Sequence, residues 1–203
     1  LGDGTRNNET APRTVGGGMI FRTIAAGWDH TCGLTASGNA FCWGFNSSGQ
    51  LGDGGTLDRL EPTLVRGAVE TLVAGSAHTC GISQGAVLCW GSNDFGQLGA
   101  GGSEGRSQPT EVSGLPGAPT YLAAGAVHSC AVLADGRAFC WGQNRSGQLG
   151  DGSTTNRSTP VAVSGGQRFT EIHAGGAQTC ALTASGDEYC WGLNQSSQLG
   201  EGT

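Results

Sequence analysis

Apolar residues along this chain come in short runs, each closed by glycine, proline, serine or asparagine. Near the N-terminus the runs are Pro12 to Val15, Phe21 to Ala26, His30 to Leu34 and Asn39 to Trp43. Runs of this length between turn formers read as β-strands. No segment keeps an apolar 3.6-residue period for two turns, so the pattern predicts no helix. The third and fourth runs are separated by Ser37-Gly38, a pair suited to the tip of a tight hairpin because glycine adopts positive φ at little cost. Asp135-Gly136, Ser185-Gly186 and, one residue shorter, Gln84-Gly85 stand at the same point further along.

The whole pattern repeats. Leu1-Gly2-Asp3-Gly4 returns as Leu51-Gly52-Asp53-Gly54, Leu98-Gly99-Ala100-Gly101, Leu149-Gly150-Asp151-Gly152 and Leu199-Gly200-Glu201-Gly202. A longer phrase precedes the last four copies: Trp43 to Gln50, Trp90 to Gln97, Trp141 to Gln148 and Trp191 to Gln198, with Ser197 where the others have Gly49, Gly96 and Gly147. The chain is therefore read as one repeat domain over 1–203. Its units run approximately over 1–50, 51–97, 98–148 and 149–198, and 199–203 start another. Short antiparallel strands, four to a unit of roughly 40–50 residues, predict an all-β fold of propeller blades, each a four-stranded antiparallel sheet.

Strand side chains alternate faces. In the first hairpin this places Cys32 opposite Cys42 and Gly33 opposite Phe41. The residue after the first cysteine is small in every unit (Gly33, Gly81, Ala131, Ala181), which suggests room for the large residue across the hairpin: Phe41, Leu88, Phe139 or Tyr189. A tryptophan/aromatic face and a leucine/cysteine face then stack one blade on the next. The eight cysteines fall into the same hairpin pairs, Cys32 with Cys42, Cys80 with Cys89, Cys130 with Cys140 and Cys180 with Cys190. Opposed strand positions lie close to the separation a disulfide needs, and four bridges place the chain outside the cytosol, extracellular or at the cell surface. The alternative is eight buried thiols acting as small hydrophobes.

Composition narrows the function. Glycine supplies 39 of 203 residues, against a usual share of about 7%, and suits thin layers better than one thick core. All ten basic residues are arginine, scattered singly, and the net charge is −6. A nucleic-acid binder usually shows a basic stripe, so DNA and RNA are not expected as partners. Nor is membrane insertion, since no stretch approaches roughly 18 apolar residues.

Candidate chemistry is sparse. His30, His78 and His128 each precede a first cysteine by two residues, while Gln178 takes that place in the fourth unit. Three imidazoles at equivalent positions are a possible metal set, but a residue recurring at one position more simply serves the blade, through a hydrogen bond to a neighbouring loop. His173 reads as an ordinary strand residue. Asp53-Gly54-Gly55-Thr56-Leu57-Asp58 resembles a fragment of a calcium loop yet offers few of the six to eight oxygens calcium takes. Cysteine spacing does not match zinc. No nucleophile, base and orienting acid stand together outside the repeat. No cofactor, metal or catalytic residue is expected.

His30-Thr31-Cys32-Gly33-Leu34, Phe41-Cys42-Trp43-Gly44 and Asn46-Ser47-Ser48-Gly49-Gln50-Leu51-Gly52 resemble the regulator-of-chromosome-condensation (RCC) repeat, in a cysteine-containing form similar to bacterial secreted members. The resemblance covers essentially the whole chain. It implies blades whose loops present surfaces to other proteins, and usually seven of them. Four units then make a partial propeller, or one completed by other chains. Residues 11–15 read as an outer strand without its hairpin, and Cys180 to Trp191 as a hairpin without its outer strand. The leading expectation is a non-enzymatic extracellular module that binds a protein partner. The variable stretches, Asn93 to Gln108 and Gln143 to Pro160, are where contact is expected. The alternative is a structural repeat joining copies of itself end to end.

Overall fold

The computed structural model describes residues 1–200 and shows four antiparallel sheets. The first blade is β1 (Phe21–Ala26), β2 (His30–Thr35), β3 (Ala40–Gly44) and β4 (Arg59–Leu64). The second is β5 (Val73–Ala74), β6 (His78–Ser83), β7 (Ala86–Gly91) and β8 (Arg106–Glu111). The third is β9 (Pro119–Ala124), β10 (His128–Leu133), β11 (Ala138–Gly142) and β12 (Arg157–Ala162). The fourth has three strands, β13 (Phe169–Ala174), β14 (Gln178–Thr183) and β15 (Glu188–Gly192). Strands pair in sequence order within each sheet, and no pairing joins the first sheet to the last. The only helical turn among the described residues is a 3-10 turn at Gly16–Gly18.

Each blade takes its outer strand from beyond its Leu-Gly phrase, so a sequence unit straddles two blades. Pro12 to Val15, expected as a strand, is not one: extended backbone needs a partner ladder, and none of the described strands pairs with it. This segment instead folds back on the first blade, with Gly4 N donating to Leu60 O at 3.1 Å and Gly16 N to Gly2 O.

The central hairpins hold the expected register, Cys32 opposite Cys42 and Gly33 opposite Phe41, with equivalent pairs in the other three sheets. The sulfurs of each cysteine pair are bonded, with Cα atoms 4.1 Å apart. The space beside the small residue is filled differently from the expectation. A Cβ on Gly33 would meet Phe21, and one on Gly81 would meet Val69, both from the segment leading into or forming the innermost strand. Phe21 in turn packs edge-on against Phe41, ring centroids 6.4 Å apart.

Blades stack as the two-faced pattern implies. Cys32, Leu34, Ala40 and Cys42 of the first blade bury against Trp90 and Val69 of the second. Cys80, Ile82 and Cys89 do the same against Trp141 and Leu122, and Cys130, Val132 and Cys140 against Phe169 and Ile172. The core is thus three thin inter-blade layers. The outward face of the first blade is covered only in part: Trp43 is buried against Gly2 of the N-terminal segment, but Ile24 is 61% exposed, while its counterpart Ile172 is fully buried.

Candidate protein-binding face

The repeated phrase builds the loops at one end of the blades. Asn46 is buried and sits at the centre of its loop. Its Oδ1 accepts from Leu51 N at 3.0 Å, and its Nδ2 donates to Leu57 O at 3.0 Å, Gly55 O at 3.2 Å and Asp53 Oδ1 at 3.3 Å. Asn144 repeats the arrangement with Leu149 N, Ser153 O and Asp151 Oδ1. One short amide side chain thereby replaces a regular ladder across a long connection. Gln50 is equally buried and accepts from Ser48 N at 3.0 Å through Oε1.

The glutamine backbone joins blades. Gln50 O accepts both the indole N–H of Trp90 at 3.0 Å and the hydroxyl of Thr79 at 2.8 Å, each from the next blade. Gln97 O takes Trp141 and Ser129, and Gln148 O takes Trp191 and Thr179.

The three histidines complete this junction. His30 Nε2 lies 2.9 Å from Thr79 Oγ1, His78 Nε2 lies 3.0 Å from Ser129 Oγ, and His128 Nε2 lies 2.9 Å from Thr179 Oγ1. Each hydroxyl has one proton, already given to the glutamine carbonyl, so the imidazole must donate from Nε2 and leave Nδ1 bare. The expectation of a bond to a neighbouring loop is corrected here: the partner is a strand hydroxyl on the next blade. Burial pushes His30 and His128 down to about 4 and His78 to about 3, so all three are neutral near pH 7. Nδ1 packs on a glycine: a Cβ on Gly27 would fall 2.3 Å from Cε1 of His30, and Gly75 and Gly125 crowd His78 and His128 alike. The rings are inter-blade posts, each committed to its own junction. The signal was in the sequence, as a hydroxyl residue follows every one of these positions (Thr31, Thr79, Ser129, Thr179).

Acidic side chains in the loops are also committed. Asp53 meets Arg59 at 2.6 Å and Asp151 meets Arg157 at 2.9 Å. Burial pushes the Asp53 carboxyl up, but the Gly55 N–H, Arg59 and Asn46 outweigh it and hold it below the usual carboxylate range. Asp58, the other carboxylate of the calcium-like stretch, faces Asn46 N and Arg6. The second blade departs: Ala100 replaces the aspartate, and Arg106 is exposed with a single 3.3 Å bond to Gly105 O. The one group of three close histidine, cysteine or carboxylate ligand atoms among the described residues is Cys180, Glu188 and Cys190, and its two sulfurs are bonded to each other. His173 is exposed on β13, its ring 5.5 Å from that of Tyr121.

Around this common frame the exposed and half-buried positions differ from blade to blade. Where the first loop has Phe45, Ser47 and Ser48, the second has Ser92, Asp94 and Phe95, and the third has Gln143, Arg145 and Ser146. Arg145 lies over the Phe95 ring, 5.9 Å from its centroid, so neighbouring loops touch. Phe45 N donates to Asp29 O, Ser92 N to Ala77 O and Gln143 N to Val127 O, which puts the β1–β2 turn and its equivalents on this same face. The expected contact stretches, 93–108 and 143–160, therefore share one face with these turns.

The sequence reading passed over Trp28. It is 83% exposed at the first of those turns, where the other blades have Ser76, Ala126 and Gly176. Its signal was its placement: of five tryptophans, it alone stands outside the Trp-Gly phrase.

Comparison with known proteins settles the family. The profile of the RCC1-like domain matches residues 1–203. The chain belongs to the RCC1-like family. It is 34% identical over 166 residues to the probable E3 ubiquitin-protein ligase HERC4 of Rattus norvegicus, an alignment that covers 77% of this chain and 16% of HERC4. Among solved structures, yeast RCC1 (Prp20) bound to Kap60 superposes with a TM-score of 0.81 at 22% identity, over 93% of this chain and 47% of the other. The ectodomain of the receptor kinase CR4 from Physcomitrella patens gives 0.60 at 26% identity, over 94% and 46%. This RCC1-like chain thus spans about half of each structural neighbour and a small fraction of HERC4. Its blades are propeller blades of the RCC1 kind, an architecture that typically serves protein interaction.

Proposed function

We propose that this RCC1-like chain is a non-enzymatic module that binds a partner protein through the face carrying its long loops. One observation carries the reading. In the first three loops the buried asparagine, glutamine and leucine are the same, while the exposed residues beside and between them are Phe45 and Ser47, then Asp94, then Arg145. A purely structural loop has no need of such variety on its solvent side, whereas recognition does. The rings of the recurring histidines are buried in blade junctions, each committed to a hydroxyl of the next blade. Scattered arginines and a net charge of −6 favour a protein over a nucleic acid.

An extracellular setting is supported by the four bonded cysteine pairs, since such bridges rarely persist in a reducing cytosol. Likeness to a receptor-kinase ectodomain points the same way. No helix among the described residues is long and apolar enough to cross a membrane.

A second reading, end-to-end joining of copies, is favoured by the exposed Ile24 face of the first blade and the half-buried Cys180 and Leu182 face of the last, which match the two sides of an internal junction. Site-specific photocrosslinking separates the two. A benzophenone side chain at Phe45 or Phe95 is expected to capture a partner protein, while one at Ser37 or Gly85, at the hairpin tips, is not. Self-links confined to Ile24 and Leu182, with the loop positions silent, overturn recognition in favour of assembly.

A further inference from the structure

The innermost strands of the four blades line a cleft of about 330 Å3. Its walls are aliphatic, and Tyr121 and His173 are the only polar side chains among the described residues that line it. Both stand where the repeat is broken. Ala25, Val73 and Ala123 take the place of His173 in the other blades, each paired with the first cysteine of its hairpin. Tyr121 and Glu171 share a second place, held by Thr23 and Thr71 in the first two blades.

Strand alternation brings the three groups together. Glu171 and His173 lie two residues apart on β13 and share its exposed side, while Ile172 between them is buried. Tyr121 reaches the same imidazole edge-on from β9 of the preceding blade. His173 Nε2 then lies 3.5 Å from Glu171 Oε2 and 3.5 Å from Tyr121 Oη. Hydrogen bonds between such groups settle at about 2.7–3.0 Å, so neither contact is a well-formed one. Spacings of about 3.3–3.6 Å are instead what four ligands make around a zinc ion held at roughly 2.0–2.2 Å. Among the described residues no arginine pairs with Glu171. Burial, and after it the Glu171 charge, hold the Tyr121 phenol above its ordinary value, an effect that a dication beside the oxygen reverses.

We propose that Tyr121, Glu171 and His173 form a zinc site that joins the third blade to the fourth, with its fourth position open to water. The ligand set selects the metal. Zinc readily takes three protein ligands of nitrogen and oxygen and leaves one position to solvent. Calcium and magnesium call for more oxygens than the site offers and do not favour an imidazole. Copper(II) prefers a square plane, whose neighbouring ligands stand closer than these. His30, His78 and His128 are committed to hydroxyls of the next blade, so His173 is the one imidazole that a metal reaches from solvent. The inference does not depend on the protein-binding reading.

The test titrates zinc chloride calorimetrically into the metal-free, disulfide-intact protein without a polyhistidine tag, and then uses Co2+ as an optical probe. One equivalent of zinc is expected to bind in the micromolar range. Co2+ is expected to show the intense visible d–d bands of a tetrahedral centre. His173→Ala should abolish saturation, while Glu171→Gln should weaken binding about tenfold or more. Tyr121→Phe keeps the ring contact and should weaken binding several-fold, with a fainter cobalt band. Zinc affinity unchanged in His173→Ala overturns the proposal, as does the absence of saturation below millimolar zinc. The pale spectrum of octahedral Co2+ overturns it equally.

Discussion

The indole N–H of Trp90 and the hydroxyl of Thr79 converge on a single acceptor, the carbonyl of Gln50 in the preceding blade, at 3.0 and 2.8 Å. Two donors from one sheet thus clamp a loop of another, inside a layer that also buries Cys32, Cys42 and Leu51. Because the acceptor is backbone, no substitution at Gln50 removes it. Only the donors can be edited.

Trp90→Phe keeps most of the ring burial and deletes one donor. Unfolding free energy is expected to fall by about 1–2 kcal/mol, within the usual net worth of a buried hydrogen bond plus a small cavity. Trp28→Phe, on the surface, is expected to leave stability unchanged. Urea denaturation of the two variants beside the parent checks both.

Acid should loosen the blade junctions. His30 and His128 titrate at about 4 and His78 at about 3 in the folded chain, against an ordinary value of 6.5. Between about pH 6.5 and pH 4 the unfolded chain therefore binds more protons than the folded one. The stability these neutral rings contribute is complete above pH 6.5 and drains away as pH falls through that window. The slope approaches about 1.4 kcal/mol per pH unit for each histidine. Substituting all three by glutamine, the residue the fourth blade already has as Gln178, is expected to flatten the profile. Urea midpoints measured from pH 7.5 to 4.5 decide it.

The aspartate loops differ in a way that can be restored. Asp53→Ala should cost about 1–2 kcal/mol, because Gly55 N loses its acceptor and Arg59 its partner. Ala100→Asp gives exposed Arg106 the partner that Arg59 and Arg157 have, and a stabilisation of no more than about 1 kcal/mol is expected for so solvated a pair. A Tm series on the two single variants reads both directions at once.

Reduction should be ordered. Cys32–Cys42, Cys80–Cys89 and Cys130–Cys140 have no solvent exposure, while Cys180–Cys190 is half-buried on the open face of the last sheet. Exchange depends on access of the attacking thiolate. Limited dithiothreitol followed by alkylation and peptide mapping is expected to label Cys180 and Cys190 first. Simultaneous labelling of all eight would contradict it.

What could be read from the chain alone was what recurs. Strand runs, hairpin register and the opposition of Cys32 and Cys42 follow from a period of two and a turn at Ser37-Gly38, and these are local facts. The outer strand was harder. Pro12 to Val15 and Arg59 to Leu64 occupy equivalent places in the repeat, but only the second has a β3 to pair with, and pairing is not visible in composition. The inter-blade partners of His30 were misassigned for a related reason. Its hydroxyl lies 49 residues away on Thr79, a distance that only stacking reveals. Trp28 went unremarked because repeat reading rewards what matches, and recognition sites sit where the match fails.

The displacement of the sequence period from the structural one has a practical side. Cutting at the Leu-Gly phrases, the obvious seams in the text, would part β3 from β4 and remove the carbonyl on which the next tryptophan closes. A graft that respects the sheet would begin at Phe21 and end past Leu64, carrying Gln50 along with the hairpin it follows. Chimeras between relatives drawn on that boundary should exchange one loop's chemistry and leave the neighbouring junctions as they were.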